Sequence, residues 1–399
     1  MRRPTRLART AVVVTACCGL LIAAGAATPA VATPAAAQPL ATGRGPVIPD
    51  TCAQLRTQAP QLASQARARR LVGQGQLTVS CVQPAAVGTR TARNATSQSP
   101  VCGFEQWYYD RFDMCAIVAG EYYLYTLDPE TGEMVETGDL TFEITHDIAL
   151  SAVTSTFAES DEFLVTSAAG DADSGTTIAL SVSCGGSCRA TNHFEPSPVE
   201  DGSNLTGSVS YSDSTTTVDS TSSSYTWVFH NPIATNGPVS FSFGSLTYRC
   251  DDEVAAYPGC VVPAYTPTLT TMTLLPAIDA NIASIQAAGP HHYGNPSYSP
   301  AYPLHRTTDP TIQNANNSTA CPPSRKPRPG GSYPYVGPAP GSCDEYPFAT
   351  TLEGASRTQK PDWGTAIVPP SEQSAQGGYI SSFYQANRIL DGDAFWVAV

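Results

Sequence analysis

Hydrophobic and polar residues alternate with a period of two in several short runs between residues 102 and 262. These runs are rich in β-branched and aromatic residues and are bounded by turn sequences, such as the one at 128–132. Their apolar positions are Leu140/Phe142/Ile144, Ile178/Leu180/Val182, Tyr225/Trp227/Phe229 and Val239/Phe241/Phe243. Strands with one apolar face predict an antiparallel β-sandwich over residues 101–270, called the β region below.

Helical patterns lie on either side of this region. Residues 52–72 are rich in Ala, Gln, Leu and Arg and predict a helical segment interrupted near Pro60, within a linker-like stretch that spans 33–100. Residues 274–288 predict a helix that ends at Gly289-Pro290, and the Pro-, Tyr- and Gly-rich stretch 289–342 predicts mostly loop.

The end of the chain changes character again. Residues 365–368 predict a strand, 378–387 a helix and 395–399 a closing strand. The predicted fold class is therefore mainly β, with a small α+β module at 271–399, called the C-terminal module below.

Residues 1–32 have the features of a secretory signal peptide. Arg2, Arg3, Arg6 and Arg9 precede a 17-residue apolar stretch at 11–27, and small residues follow at 30–32. The alternative is an uncleaved membrane anchor, but the stretch is short and rich in Ala and Gly. The sequence predicts an exported protein with no membrane span after the signal is removed.

The balance of basic and acidic residues differs among the same three parts of the remaining chain. The formal net charge of the whole chain is −13. Residues 33–100 carry 7 basic and 1 acidic residue, residues 101–270 carry 3 and 24, and residues 271–399 carry 7 and 9. The β region is therefore strongly acidic, whereas the C-terminal module is nearly balanced in charge.

Ten cysteines remain after the signal, and an even number in an exported protein predicts disulfide bonds. Pairing neighbours in sequence gives five short loops, but other pairings are equally compatible with the spacing. A zinc site at Cys184 and Cys188 is disfavoured, because no second Cys/His pair follows at a suitable distance.

The densest cluster of chemistry is Cys343-Asp344-Glu345-Tyr346-Pro347. On a strand, adjacent side chains face opposite ways, so one carboxylate can enter a site while the other has a structural contact. Composition alone would place such an acidic pair on a solvated surface.

Two further segments give this cluster a context, namely the Gly377-Gly378 pair and the ending from Phe383 to Val397. Together with the cluster, they resemble the NucA/NucB family of secreted deoxyribonucleases over about residues 300–399. The resemblance implies a ββα-metal fold, a divalent metal ion (Mg²⁺ or Mn²⁺) and sequence-nonspecific cleavage of DNA.

The resemblance also implies roles for individual residues. Asp344 matches the family's general base, and Glu345 matches the next acid, which binds metal through water or supports the site. Compact members carry Asp-Asn-Arg-Gly before their helix, and their Asn belongs to the metal site. This chain has Ser371-Glu372-Gln373-Ser374 there, so Glu372 and Gln373 become the candidate metal ligands.

Three basic positions remain as candidates for phosphate binding. Arg306 could clamp a phosphate and His305 could act as an acid or ligand; alternatively, they form a surface pair in a loop. The basic cluster at 325–328 is a candidate contact to the DNA backbone, or a solvated loop.

These features together predict an exported, metal-dependent DNA endonuclease with an accessory β domain. An acidic β region would repel DNA, so we expect it to lie away from the DNA-binding cleft, and a 290–399 fragment to cleave DNA at least as well as the full-length protein. One alternative is a secreted surface- or matrix-binding β-sandwich protein with a degenerate nuclease module. Another is a secreted DNase toxin, which would require a cognate inhibitor protein as a partner.

Overall fold

Antiparallel strands form most of the chain before residue 270. The computed structural model describes residues 40–71, 73–85, 93–94, 101–254, 257–322 and 341–399, so the predicted signal peptide and the basic cluster at 325–328 lie outside the described residues. The strands of this part are β1 (Ala41–Arg44), β2 (Thr78–Pro84), β3 (Arg93–Asn94), β4 (Val101–Cys102), β5 (Gln106–Tyr109), β6 (Asp113–Leu127), β7 (Met134–Ala149), β8 (Thr156–Gly170), β9 (Thr177–Cys184), β10 (Cys188–Asn192), β11 (Ser197–Pro198), β12 (Asn204–Asp213), β13 (Val218–Thr221), β14 (Ser223–His230), β15 (Val239–Gly244), β16 (Tyr248–Asp251), β17 (Gly259–Val261) and β18 (Thr268–Leu269).

Two of the sheets formed by the described residues supply most of the β region's core. The larger has eight strands in the order β1-β5-β6-β7-β8-β12-β10, with β2 paired to β6, and the smaller has the order β11-β9-β14-β15. Side chains from the inward faces of both sheets share one buried cluster. Phe142 of the larger sheet, for example, packs against Phe229 of the smaller, with ring centroids 4.9 Å apart and the rings tilted by 39°. The predicted alternation is thus confirmed as antiparallel strands with one buried face.

The segment before residue 100 contributes to this structure. Helices α1 (Thr51–Thr57) and α2 (Ala59–Leu71) match the predicted helical segment with its break near Pro60. Strands β1 and β2, however, fall within the stretch predicted as linker and pair with β5 and β6. Short polar stretches carry little periodicity, and partners distant in sequence determine whether they form edge strands.

The C-terminal module forms a second, smaller core. Its elements are α3 (Pro276–Ala288), β19 (Leu304–His305), α4 (Pro310–Ala320), β20 (Ser342–Tyr346), β21 (Gly364–Val368), α5 (Pro370–Ala386) and β22 (Ala394–Val397). β20 and β21 pair antiparallel, and β22 lies between β18 and β19. The buried cluster of this module draws on residues 269–285 as well as on the segments after 304.

Helix α5 begins earlier than the sequence predicts. Proline disfavours helix interiors but suits the first helical position, and Pro370 occupies that position. Glu372 and Gln373 therefore lie in the first turn of α5, and the Gly377-Gly378 pair lies inside the helix rather than before it. None of the helices in the described part of the chain is both long and apolar enough to span a membrane.

Buried arginines join the β region to the C-terminal module. Arg388, which is fully buried, donates to Asp251 of β16 through Nη2 at 2.6 Å and through Nε at 3.1 Å. In the other direction, Arg111 donates to the Asn387 carbonyl at 2.8 Å, and Arg249 donates to Asp393 at 2.8 Å. The segment that follows α5 is thereby fixed by side chains from the β region.

Disulfide bonds close short loops within the described residues. The pairs are Cys52–Cys81, Cys102–Cys115, Cys184–Cys188, Cys250–Cys260 and Cys321–Cys343. The pairing is that of neighbours in sequence, and Cys184 and Cys188 bond to each other rather than forming a metal site. Five disulfides fit an extracellular protein.

Candidate functional site

Asp344 and Glu345 lie side by side on β20 and face opposite ways. Alternation along the strand turns Asp344 into the module, where its exposed fraction is 0%, and turns Glu345 toward the surface. Only Glu345 of the two lines the clefts described below. The two carboxylates therefore have different surroundings although they are neighbours.

Asp344 is held by two side-chain amides. Asn281 of α3 donates to its Oδ2 at 2.7 Å, and Gln376 of α5 donates to its Oδ1 at 2.8 Å. Burial raises the pKa of Asp344 to about 6, and these two hydrogen bonds oppose the shift because they favour the charged form. Asp344 thus ties β20 to both helices.

Glu345 lines a cleft of about 310 Å³ on one side of the module. Burial, followed by the nearby charge of Asp344, raises its pKa to about 7. The sulfur of Cys321 lies 3.5 Å from Oε2, but it belongs to a disulfide and has no hydrogen to donate. Among the described residues, no other side chain is bonded to this carboxylate, so it is available to water, metal or substrate.

Helix α5 forms one wall of the cleft and gives it an apolar floor. Ile380 and Tyr384 line it together with Phe348, and Gly377 faces the same space. A Cβ atom added at Gly377 would meet no atom within 4 Å. Since glycine destabilises helix interiors by about 0.5–1 kcal/mol relative to alanine and no packing requires it here, Gly377 leaves room for a ligand to approach the helix backbone.

Arg306 lies in the same cleft as Glu345. Its guanidinium carbon is 4.7 Å from the centre of the Tyr384 ring, and it also donates to the Ile389 carbonyl. Both contacts come from the end of α5 and the loop after it, so that loop sets the position of the cleft's arginine.

His305 does not line this cleft. Its Nδ1 lies 2.8 Å from Glu353 Oε1, and its backbone N–H donates to the other oxygen of the same carboxylate. The structure therefore brings Arg306 to Glu345 but pairs His305 with Glu353.

The two candidate metal ligands of α5 have different environments. Glu372 accepts hydrogen bonds from the backbone N–H groups of Ala277 and Ile278, at 2.9 and 3.2 Å, and so caps the first turn of α3. Gln373 lines a second cleft together with Glu345, and its amide nitrogen donates to Gln376 Oε1 at 3.0 Å. Its own Oε1 is buried without a hydrogen-bond partner.

Glu345 and Gln373 can supply the oxygen atoms that a hard divalent cation prefers. The buried Gln373 Oε1, which has no hydrogen-bond partner among the described residues, lines the same cleft as Glu345 and fits such an ion, whereas the carboxylate of Glu372 already accepts hydrogen bonds from α3.

Some of these residues escape sequence reasoning. Asn281 lies 63 positions before Asp344, and nothing in its own segment marks it. Gln376 and Tyr384 are easier to find from the sequence, because Gln376 directly precedes the glycine pair and Tyr384 belongs to the helical spacing of apolar residues in α5.

Strand, strand and helix in the order β20-β21-α5, with an acid and an arginine facing a shared cleft, form a site suited to hydrolysis at phosphate. Residues 294–398 match the family model of deoxyribonuclease NucA/NucB. The C-terminal module thus carries a NucA/NucB nuclease module, as its motifs predict. Comparisons with curated proteins and with solved structures gave no match.

Proposed function

We propose that this protein is an exported, metal-dependent DNA endonuclease that hydrolyses phosphodiester bonds without sequence specificity. The observation that carries the proposal is Glu345, which shares a cleft with Arg306 on a NucA/NucB module and has no side chain bonded to it in the described part of the chain. The two-sheet part of the chain is then an accessory β-sandwich domain, and β20-β21-α5 is the ββα core of the nuclease.

We assign proton abstraction from water to Glu345 rather than to Asp344, the residue implied by family resemblance. A general base must reach the water it activates and works best with a pKa near the working pH. Glu345 meets both conditions, with a pKa of about 7. Asp344 is enclosed by Asn281 and Gln376 and acts on Glu345 through its charge.

Gln373 would hold the divalent ion directly, and Glu345 would hold it through a water molecule. A bound Mg²⁺ or Mn²⁺ supplies positive charge that stabilises the phosphate and the leaving oxygen. Arg306 binds a nonbridging phosphate oxygen, and Phe348 and Tyr384 give the adjoining nucleotide an apolar surface.

Sequence-independent affinity comes from contacts to the DNA backbone. Arg306 and the basic cluster at 325–328 supply such contacts in this proposal, and the acidic β region faces away from the DNA. The predicted signal peptide directs export, which agrees with the disulfide bonds.

Plasmid cleavage by the purified full-length protein tests the proposal. We expect cleavage with Mg²⁺ or Mn²⁺, none with EDTA, and a fall of about 10² to 10⁴-fold for Glu345→Gln.

His305→Gln is the matched control, because His305 adjoins Arg306 but is paired with Glu353 and should leave cleavage nearly unchanged. Undiminished cleavage by Glu345→Gln together with loss in Asp344→Asn would return the role of base to Asp344. DNA binding without hydrolysis in any metal would favour the degenerate-module alternative.

A further inference from the structure

Three ionisable side chains lie together in the core of the β region, far in sequence from the nuclease module. His146 projects from β7, and Glu159 and Asp161 project from the neighbouring strand β8. Their exposed fractions are 0%, 1% and 2%. All three point to the face that otherwise carries apolar residues, between the two sheets.

These side chains converge on one point. His146 Nδ1 lies 2.7 Å from Glu159 Oε1 and 2.7 Å from Asp161 Oδ1. The ring nitrogen and one oxygen of each carboxylate, which are the atoms that could ligate a metal, all lie within 4.8 Å of one another. Of these two contacts, the one to Glu159 has the geometry of a hydrogen bond. Both oxygens of Asp161 are buried and have no hydrogen-bond partner among the described residues.

Two tyrosines orient the carboxylate of Glu159. The hydroxyl groups of Tyr211 and Tyr225 donate to Glu159 Oε2 at 2.5 and 3.1 Å. Oε1 is left facing His146 and Asp161. Hydrogen bonds of this kind to the far oxygen are what commonly fix a metal-binding carboxylate.

With both acids ionised, the charges of this cluster do not balance. Among the described residues, no Lys or Arg forms an ion pair with Glu159 or Asp161, and His146 can supply at most one positive charge against two negative ones. Unpaired buried charge is strongly destabilising. A divalent cation bound by two carboxylates and a neutral imidazole would bring the sum to zero.

We propose that His146 Nδ1, Glu159 and Asp161 bind one divalent transition-metal ion, with zinc as the best match. A nitrogen ligand combined with carboxylate oxygens suits zinc, whereas calcium and magnesium prefer all-oxygen sites. The side chains are enclosed, so the ion is incorporated as the two sheets close and stabilises the β region rather than taking part in the cleft's chemistry.

Trp227 provides a signature of occupancy. Its indole N–H donates to His146 Nε2 at 3.3 Å, so the metal-free ring carries its hydrogen on Nδ1. Coordination through Nδ1 leaves the neutral ring's single hydrogen on Nε2, opposite the indole N–H. The Trp227 contact must then break, and its fluorescence should change.

The test uses the full-length protein unfolded in guanidinium chloride with its disulfides intact, then refolded with Zn²⁺ or with EDTA and desalted. We expect the zinc-refolded wild type to hold one more zinc per chain than Asp161→Asn, by elemental analysis. Its thermal unfolding midpoint should rise by about 5 °C over the EDTA sample, and that of Asp161→Asn should not.

Two variants make the result specific. Trp227→Phe removes the opposing N–H and should keep the zinc. His291→Gln should also keep it, because it removes only a half-exposed histidine beside Asp362 that could bind zinc at the surface. Equal zinc content in wild type and Asp161→Asn, or a wild-type midpoint that is the same after refolding with Zn²⁺ and with EDTA, would overturn the proposal.

Discussion

Each of the two regions of this protein carries a pair of acids on one strand, and the two pairs have different surroundings. In the nuclease module, Asp344 accepts two amide hydrogen bonds while its neighbour Glu345 opens to a cleft. In the β region, Glu159 and Asp161 are two residues apart, so both face the same sealed core. Spacing along the strand therefore decides whether one acid can be structural and the other reactive.

The nuclease site also depends on residues that precede position 290. Asp344 is held by Asn281 of α3, and the loop carrying Arg388 is held by Asp251 of the β region. The charged groups of the C-terminal module are therefore positioned by segments outside residues 290–399.

The largest effect should follow from isolating the module. A 290–399 fragment lacks Asn281 and six of the sixteen buried residues of the second core, so we now expect it to lose DNA cleavage, contrary to the expectation from charge alone. Circular dichroism and plasmid cleavage would measure the loss.

A 264–399 fragment is the control, because it restores α3 but still lacks Arg111, Arg249 and Asp251. It should recover part of the structure. Full activity in the shorter fragment would show that the β region and α3 are dispensable.

Removing the buried arginine at the junction should have the next largest effect. Arg388→Ala removes both side-chain donors of the buried Asp251 carboxylate and leaves it only Arg249 Nε, 3.8 Å from Oδ2, so the free energy of unfolding should fall by about 3–5 kcal/mol. Denaturation in urea would measure it. The double variant Arg388→Met, Asp251→Asn should recover most of the loss, and an equal loss in both variants would mean that charge pairing is not the cause.

Sequence alone predicts the strand phases well, because one buried face imposes the period of two. It also predicts α3, β21 and β22 closely. The sequence also indicates that Glu159 and Asp161 face the core, because they alternate in phase with Phe157 and Phe163, which do so. It does not indicate the contacts of Asn281 and Arg388, because each depends on a partner more than 60 positions away.

Removing one of the two amide side chains that donate to Asp344 should have a smaller effect on the free energy of unfolding, and this effect should depend on pH. Burial raises the pKa of Asp344 to about 6 in the folded state, above its unfolded value, so its protonated form favours folding below about pH 4 and that contribution is lost as pH rises through 6. Asn281→Leu removes a bond to the charged form. Its cost should be about 1.5–3 kcal/mol at pH 8 and clearly less at pH 4.

Unfolding curves at the two pH values would measure this difference. In an Asp344→Asn background the substitution should cost about the same at both, since no carboxylate remains to titrate. A cost independent of pH in the wild-type background would show that Asn281 acts only through packing.

The smallest expected effect is a gain in stability rather than a loss, and it concerns the carboxylate of Asp161 alone. In EDTA, Asp161→Asn removes one of two buried acids that face the single His146, and no hydrogen bond among the described residues is lost with it, so the free energy of unfolding should rise by about 1 kcal/mol. Asp344→Asn should instead lower stability at pH 8, because two amides lose a charged acceptor. Urea denaturation of both variants at that pH would compare them. If both changed stability in the same direction, hydrogen-bond satisfaction would not be what distinguishes the two pairs.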